Sequence, residues 1–222
     1  MKQIVREESF REKVYKELKM AIIKQTLVSG PLLNERKLSE QLSVSRTPVR
    51  EALQILEAEG WVVILPRQGF RVNPITPKSV REVMEARKCI ECFLIGKAEM
   101  KISDEHFESI VTAFQKHKDS RPTIDASNSY KCAHCDTDFH LLIAKINNND
   151  VMLKWFSTLQ DKIERTSVFV STRGDLFQRS VEDHEEILEA LRCRDQERAM
   201  QAMKHHLSGS ESRIVELFDQ KN

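Results

Sequence analysis

Between Asn34 and Val72 the sequence pattern changes so often that few folds can accommodate it. The run ERKLSEQL follows Asn34, a residue suited to capping a helix start, and it stops at Val44-Ser45. Ser45 can then cap another helix from Arg46 to Glu59, with Pro48 tolerated in its first turn and Gly60 as the stop. The β-prone runs WVVIL and GFRV come next, separated by Pro66-Arg67-Gln68, which predicts a hairpin with Gly69 at its tip. Upstream, Phe10, Val14, Leu18, Ile22 and Ile23 keep helical spacing in a segment over 9–28 that ends at Ser29-Gly30-Pro31. Three short helices and a two-stranded wing describe a winged helix-turn-helix over residues 1–73.

Residues 74–78, inside the proline-bearing stretch NPITPKS, form the expected linker, and residues 79–222 are expected to be a second domain that is helical throughout. Periodicity and breaks place its helices at 78–100, 103–119, 126–147, 150–172, 177–193 and 195–219. The predicted fold class is therefore mainly α, a winged helix-turn-helix followed by a six-helix antiparallel bundle. No apolar run approaches the ~18 residues needed to span a bilayer, so a cytoplasmic protein with no membrane partner is expected. In that compartment the five cysteines are expected to be free thiols. Residues 1–76 hold 13 Lys and Arg against 9 Asp and Glu, a basic bias suited to a phosphate-rich partner.

A helix that reads the major groove needs cationic or amide side chains near its start and an apolar face behind them. Arg46 and Arg50 share one face of the Ser45 helix, with Ser45 and Thr47 available to phosphates, while Val49, Leu53 and Leu56 repeat on the core face. Arg36 opens the preceding helix, and Arg67 with Gly69 would let the wing approach the backbone or minor groove. The string NERKLSEQLSVSRTPVREALQILEAEGWVVILPRQGFRV resembles the DNA-binding domain of the GntR family of bacterial repressors over nearly its whole length. That resemblance implies double-stranded DNA as partner, contacts from Arg36, Arg46, Thr47, Arg50 and Gly69, and a homodimer on a palindromic operator.

In DTDFH, Asp136 and His140 stand four apart and project from one helix face; His184 and His206 lie on later helices. Three imidazoles and a carboxylate suit a divalent transition metal with positions open to another ligand. The region 79–218 resembles the FadR-type sensor, or FCD, domain of GntR regulators. The resemblance implies that Asp136, His140, His184 and His206 hold the metal, zinc first with nickel or manganese as alternatives; His205 is the substitute if the alignment slips by one. It also matches Asn149 to an asparagine that follows the metal helix, placed here as a cap and beside the effector, and Arg87 and Glu91 to a recurring pair. Arg87 would hold the carboxylate of a small acid effector, a sugar acid or organic acid, through its guanidinium fork, or else pair with Glu91.

Other readings stay open at this stage. Cys89 and Cys92 with Cys132 and Cys135 form two C-x-x-C pairs, a zinc pattern, although both sit in helical stretches and suit half-buried thiols better. The rows Phe93-Leu94-Ile95 and Leu141-Leu142-Ile143 are expected in the core or at a dimer surface, and Trp155 and Phe156 are candidates for lining an effector pocket. A hydrolytic metal enzyme with Glu182 or Glu185 as base would leave the arginine-bearing helix unexplained, so no enzyme is expected. A purely architectural DNA binder would leave the histidines unexplained.

Overall fold

The computed structural model describes residues 9–97, 102–120, 126–171 and 176–219. The chain divides into two compact units, residues 1–74 and 75–222. In the first, α1 (Phe10–Ile23) starts with a capping box in which the Ser9 hydroxyl accepts from the Glu12 N–H and the Glu12 carboxylate accepts from the Ser9 N–H. It buries Val14, Leu18, Ile22 and Ile23. The helix expected to reach residue 28 ends at Ile23, because Gln25 takes a positive φ of 59° and the N–H groups of Thr26 and Leu27 turn back to the Ala21 carbonyl. That reversal frees Leu32 and Leu33 to form a short strand, β1 (Leu32–Leu33).

Asn34 caps α2 (Glu35–Gln41) by accepting from the Lys37 N–H, and α3 (Arg46–Ala58) buries Val49, Ala52, Leu53 and Leu56. The strands β2 (Val62–Leu65) and β3 (Gly69–Val72) pair antiparallel, and β1 pairs with the other edge of β3. The sheet therefore has three strands in the order β1-β3-β2 where two were expected. A two-residue strand is too short for its alternation to show in sequence. Gly69 pairs with Leu65 at the base of the wing turn with φ +114°, and Arg67, at φ 64°, occupies the tip assigned to Gly69.

In the second unit α4 (Pro77–Gly96) is capped by Thr76 with Pro77 in the first turn. After it come α5 (Asp104–Asp119), α6 (Ala126–Lys145), α7 (Asp150–Ser171), α8 (Leu176–Arg192) and α9 (Gln196–Asp219). The breaks expected at 121–123 and 173–175, and the end of the helix expected to reach 100, lie outside the described residues. Two other breaks carry a residue of positive φ, Asn148 at 48° and Arg194 at 56°. Helix α4 packs on α9, α6 and α7, α6 lies between α5 and α7, and α8 packs on α9. Ile110, Phe139, Ile187, Met203 and Leu207 form the centre of the largest core. These residues come from α5, α6, α8 and α9, so the core that closes the bundle also fixes the helices bearing His140, His184 and His206. No helix among the described residues is long and apolar enough to cross a membrane.

Candidate functional site

The exposed start of α3 carries two cations. Arg46, Thr47 and Arg50 are exposed, as is the capping residue Ser45, whose side chain makes no capping bond. Arg50 is held rather than free: its Nε and NH2 donate to the two carboxylate oxygens of Glu35 at 3.3 and 2.8 Å. Arg36 on α2 likewise pairs with Glu40 at 2.9 Å. Arg67 is exposed on the wing and Gly69 is partly covered. Glu35 was not singled out in the sequence because its pairing crosses from α2 to α3.

In the helical unit four side chains from three helices meet below the surface. The Nε2 atom of His184 on α8 lies 3.2 Å from His140 Nε2 on α6 and 3.2 Å from His206 Nε2 on α9, and 3.6 Å from Asp136 Oδ1. The far nitrogens of two rings face carboxylates. His140 Nδ1 lies 2.6 Å from Glu91 Oε2, in a bent geometry that leaves neither atom with an aligned hydrogen bond, and His206 Nδ1 is 3.4 Å from Asp183 Oδ2. A carboxylate on Nδ1 favours the proton there and turns the Nε2 lone pair inward. Two such inward lone pairs, of His140 and His206, meet His184 Nε2, and a proton on that nitrogen or a cation between the rings satisfies them. Donors ~2.0–2.2 Å from a single ion stand about 3.0–3.6 Å apart, which the separations of His184 from its three neighbours match; the possible ligand atoms nevertheless fall in two trios, His140, His184 and His206 in one and His117, Asp136 and His184 in the other, so Asp136 is not gathered with His140 and His206 in one set. His205, the adjacent alternative, lies outside this cluster.

The electrostatics keep His184 and His206 neutral. Burial pulls His184 far below its ordinary value of 6.5, and His206, His140 and His117 add to the effect. Burial also takes His206 down to about 4, against the opposing pull of Asp183. Burial would raise Glu91, but Arg87 and His140 outweigh it and hold the carboxyl at about 2. Below pH 6.5 the unfolded chain protonates its histidines while the fold resists, so stability falls as pH falls; for His206 the window runs from 6.5 to about 4. Glu91 acts with the same sign between its ordinary 4.5 and about 2. Metal-free protein is expected to lose about 2 kcal/mol at pH 5 from His206 alone, a melting temperature lower by roughly 4–8 °C than at pH 7.5. An unchanged melting temperature over that interval would contradict the neutral burial of the cluster.

Beside the histidines is a cavity of about 90 Å³, with Arg87, His117, Asp136, His206 and Arg213 in its wall. Arg87 is 3% exposed; its Nε donates to Glu91 Oε1 at 2.6 Å, whereas its NH2 has no hydrogen-bond partner. Three sequence expectations do not hold at this cavity. Asn149 does not line it, because its side chain accepts from the Met152 N–H and caps α7. Phe156 is buried in the core with Ile90 and Leu94, and Trp155 is 56% exposed, since neighbouring residues on a helix point about 100° apart. Of the two apolar rows, Leu94, Ile95 and Ile143 are buried, Leu141 and Leu142 are half-buried and Phe93 is exposed.

The thiols of Cys89, Cys92, Cys132 and Cys135 join no cluster that could hold a metal among the described residues, and burial raises Cys132 to about 12 and Cys92 to about 11. Glu182 and Glu185 lie exposed on α8, where Glu185 pairs with Lys118. Two contributors escaped the sequence reading. Asp183 touches His206 and accepts from Arg213 at 2.8 Å, and His117 lies 3.7 Å from Asp136.

A winged helix-turn-helix with two exposed arginines at the start of its recognition helix, joined to a separate all-helical domain, belongs to the class of DNA-binding transcription regulators. Residues 10–72 match the family model of bacterial regulatory proteins of the gntR family, and residues 82–209 match the FCD domain. The chain belongs to the GntR family and carries an FCD domain; it is a regulator and not an enzyme. It is 27% identical over 209 residues to the gluconate operon transcriptional repressor of Bacillus licheniformis, covering 91% of this chain and 84% of that one. It is also 27% identical to the transcriptional repressor RspR of Escherichia coli, covering 88% and 85%. A GntR transcriptional regulator of a Rhodococcus species has the same fold, with a TM-score of 0.77 at 24% identity over 94% of this chain and 98% of that one.

Proposed function

We propose that this regulator acts as a cytoplasmic homodimer that represses transcription from a palindromic operator, and that a small carboxylic acid bound beside a metal in the helical domain sets its affinity for DNA. Arg36, Ser45, Arg46, Thr47, Arg50, Arg67 and Gly69 form the DNA surface in this reading. Asp136, His140, His184 and His206 hold the divalent ion, with zinc, nickel and manganese as candidates. When bound, the ion would offer an open position to a carboxylate oxygen.

The observation that carries the effector reading is the Arg87 NH2 group, buried without a hydrogen-bond partner in the wall of the cavity that Asp136 and His206 also line. A buried guanidinium nitrogen lacking a partner is costly even when the group is paired through its Nε, and a carboxylate is a ligand that the remaining donors match. Ser167, Ser180 and Ser210 in the same wall can meet hydroxyl groups, which favours a hydroxy acid. The gluconate operon repressors among its relatives support the same ligand class.

A thermal-shift screen of gluconate, hexuronates, lactate and citrate, on metal-loaded and on chelated protein, tests this. At a ligand concentration of ~100 times Kd, one acid should stabilise the loaded form by about 2.7 kcal/mol, or roughly 5–10 °C, and the chelated form far less. Equal shifts in the two forms would remove the metal from effector binding.

A further inference from the structure

His117 is a buried imidazole to which the reading of the histidine cluster gives no task. It lies near the end of α5, 3% exposed, with its ring centroid 5.2 Å from that of His184. The ring packs on Phe177 at 5.1 Å between centroids, yet neither ring nitrogen makes an aligned hydrogen bond. A buried imidazole left in that state is costly. Its Nε2 stands 3.7 Å from Asp136 Oδ1, and the same carboxylate oxygen stands 3.6 Å from His184 Nε2.

His117, Asp136 and His184 form one trio of possible ligand atoms and His140, His184 and His206 the other; within each trio the atoms lie within 4.8 Å of one another. The trios differ in chemistry. Three imidazoles with a further position open make an arrangement that zinc takes, whereas two imidazoles and one carboxylate make the triad that holds iron(II), and a carboxylate also suits manganese. They differ in place as well. His117 and Asp136 both line the cavity beside Arg87, whereas of the all-imidazole trio only His206 does. His184 belongs to both, and its Nε2, the atom that faces His140, His206 and Asp136, serves one ion at a time.

We propose that His117, Asp136 and His184 form a second seat for a divalent ion, whose occupation excludes occupation of the all-imidazole seat. The proposal rests on the reading of the cluster as a metal site and divides its residues between two alternative positions. Zinc takes the three imidazoles; manganese(II) or iron(II) takes the seat with the carboxylate. Three protein donors leave the other positions of a six-coordinate ion open, so a hydroxy acid can meet an ion in the second seat through two oxygens. Because that seat has two of its three donors in the cavity wall, the identity of the metal sets how the acid is held.

Pulsed EPR of the full chain loaded with manganese(II) counts the coordinated imidazoles, and X-ray absorption of the zinc-loaded chain does the same for zinc. Two imidazoles on manganese and three on zinc are expected. His117→Ala should lower manganese affinity by at least ~10-fold, the lower end of what loss of an outer-sphere partner costs, and leave zinc affinity unchanged in chelator competition; His206→Ala should do the reverse. The wild-type counts decide the matter even if a variant fails to fold. Three imidazoles on manganese, manganese affinity unchanged in His117→Ala, or both ions bound to one chain at once would overturn the second seat and leave the histidine cluster standing as a metal site. Protein that takes up neither ion would overturn both.

Discussion

His184→Ala is expected to reduce metal content from about one ion per subunit to a trace, as read by elemental analysis after gel filtration. His184 is the residue common to both groups of converging donors and is fully buried, with its Nε2 3.2 Å from two imidazoles and 3.6 Å from a carboxylate oxygen. Loss of an outer-sphere partner lowers metal affinity by ~10–100-fold, and loss of the shared inner donor should cost more. His205→Ala, one residue from His206 but outside the cluster, should retain its metal. If His184→Ala binds metal as wild type does, the histidine cluster is only a packed core, and the effector reading falls with it.

The second large effect concerns DNA. Arg50→Ala and Arg46→Ala should each weaken operator binding by about 1–3 kcal/mol and relax selectivity at one base position. Glu35→Gln should have a smaller effect of the same kind. Its carboxylate engages Nε and NH2 of Arg50, which leaves the NH1 side of the fork to meet a base and limits how far the side chain can wander. Arg36→Ala, by contrast, should weaken all sequences alike and lower the salt dependence by about one ion, as loss of a phosphate contact does. Fluorescence anisotropy on operator and scrambled duplexes separates the two patterns. Equal losses on both duplexes for Arg50→Ala would remove it from base reading.

Much of this architecture was legible because it is punctuated. Asn34, Ser45, Gly60 and Pro77 mark element boundaries through local backbone chemistry, and the repeat of Val49, Leu53 and Leu56 marks the buried face of α3. What was missed depends on partners distant in the chain. Leu32 and Leu33 become a strand only because β3 offers a free edge. Ile22 and Ile23 end α1 by a turn that no glycine or proline announces at that point. Asp136 and His140 were visible through their spacing, whereas Asp183 and His117 look like ordinary surface residues of amphipathic helices until α5, α6, α8 and α9 pack together. Asn149 was half legible: its capping role follows from local sequence, but its distance from the effector cavity depends on where α7 begins.

The proposed mechanism is a coupling between occupancy of the helical domain and the affinity of the winged helix for DNA. Its most direct test is a titration of the duplex upstream of the gene, using metal-loaded and chelated protein, each with and without the acid selected in the thermal screen. A change in Kd of roughly 5- to 150-fold on adding the acid, seen only with the metal-loaded protein, is the result expected. Operator affinity that is identical in all four conditions would contradict the account.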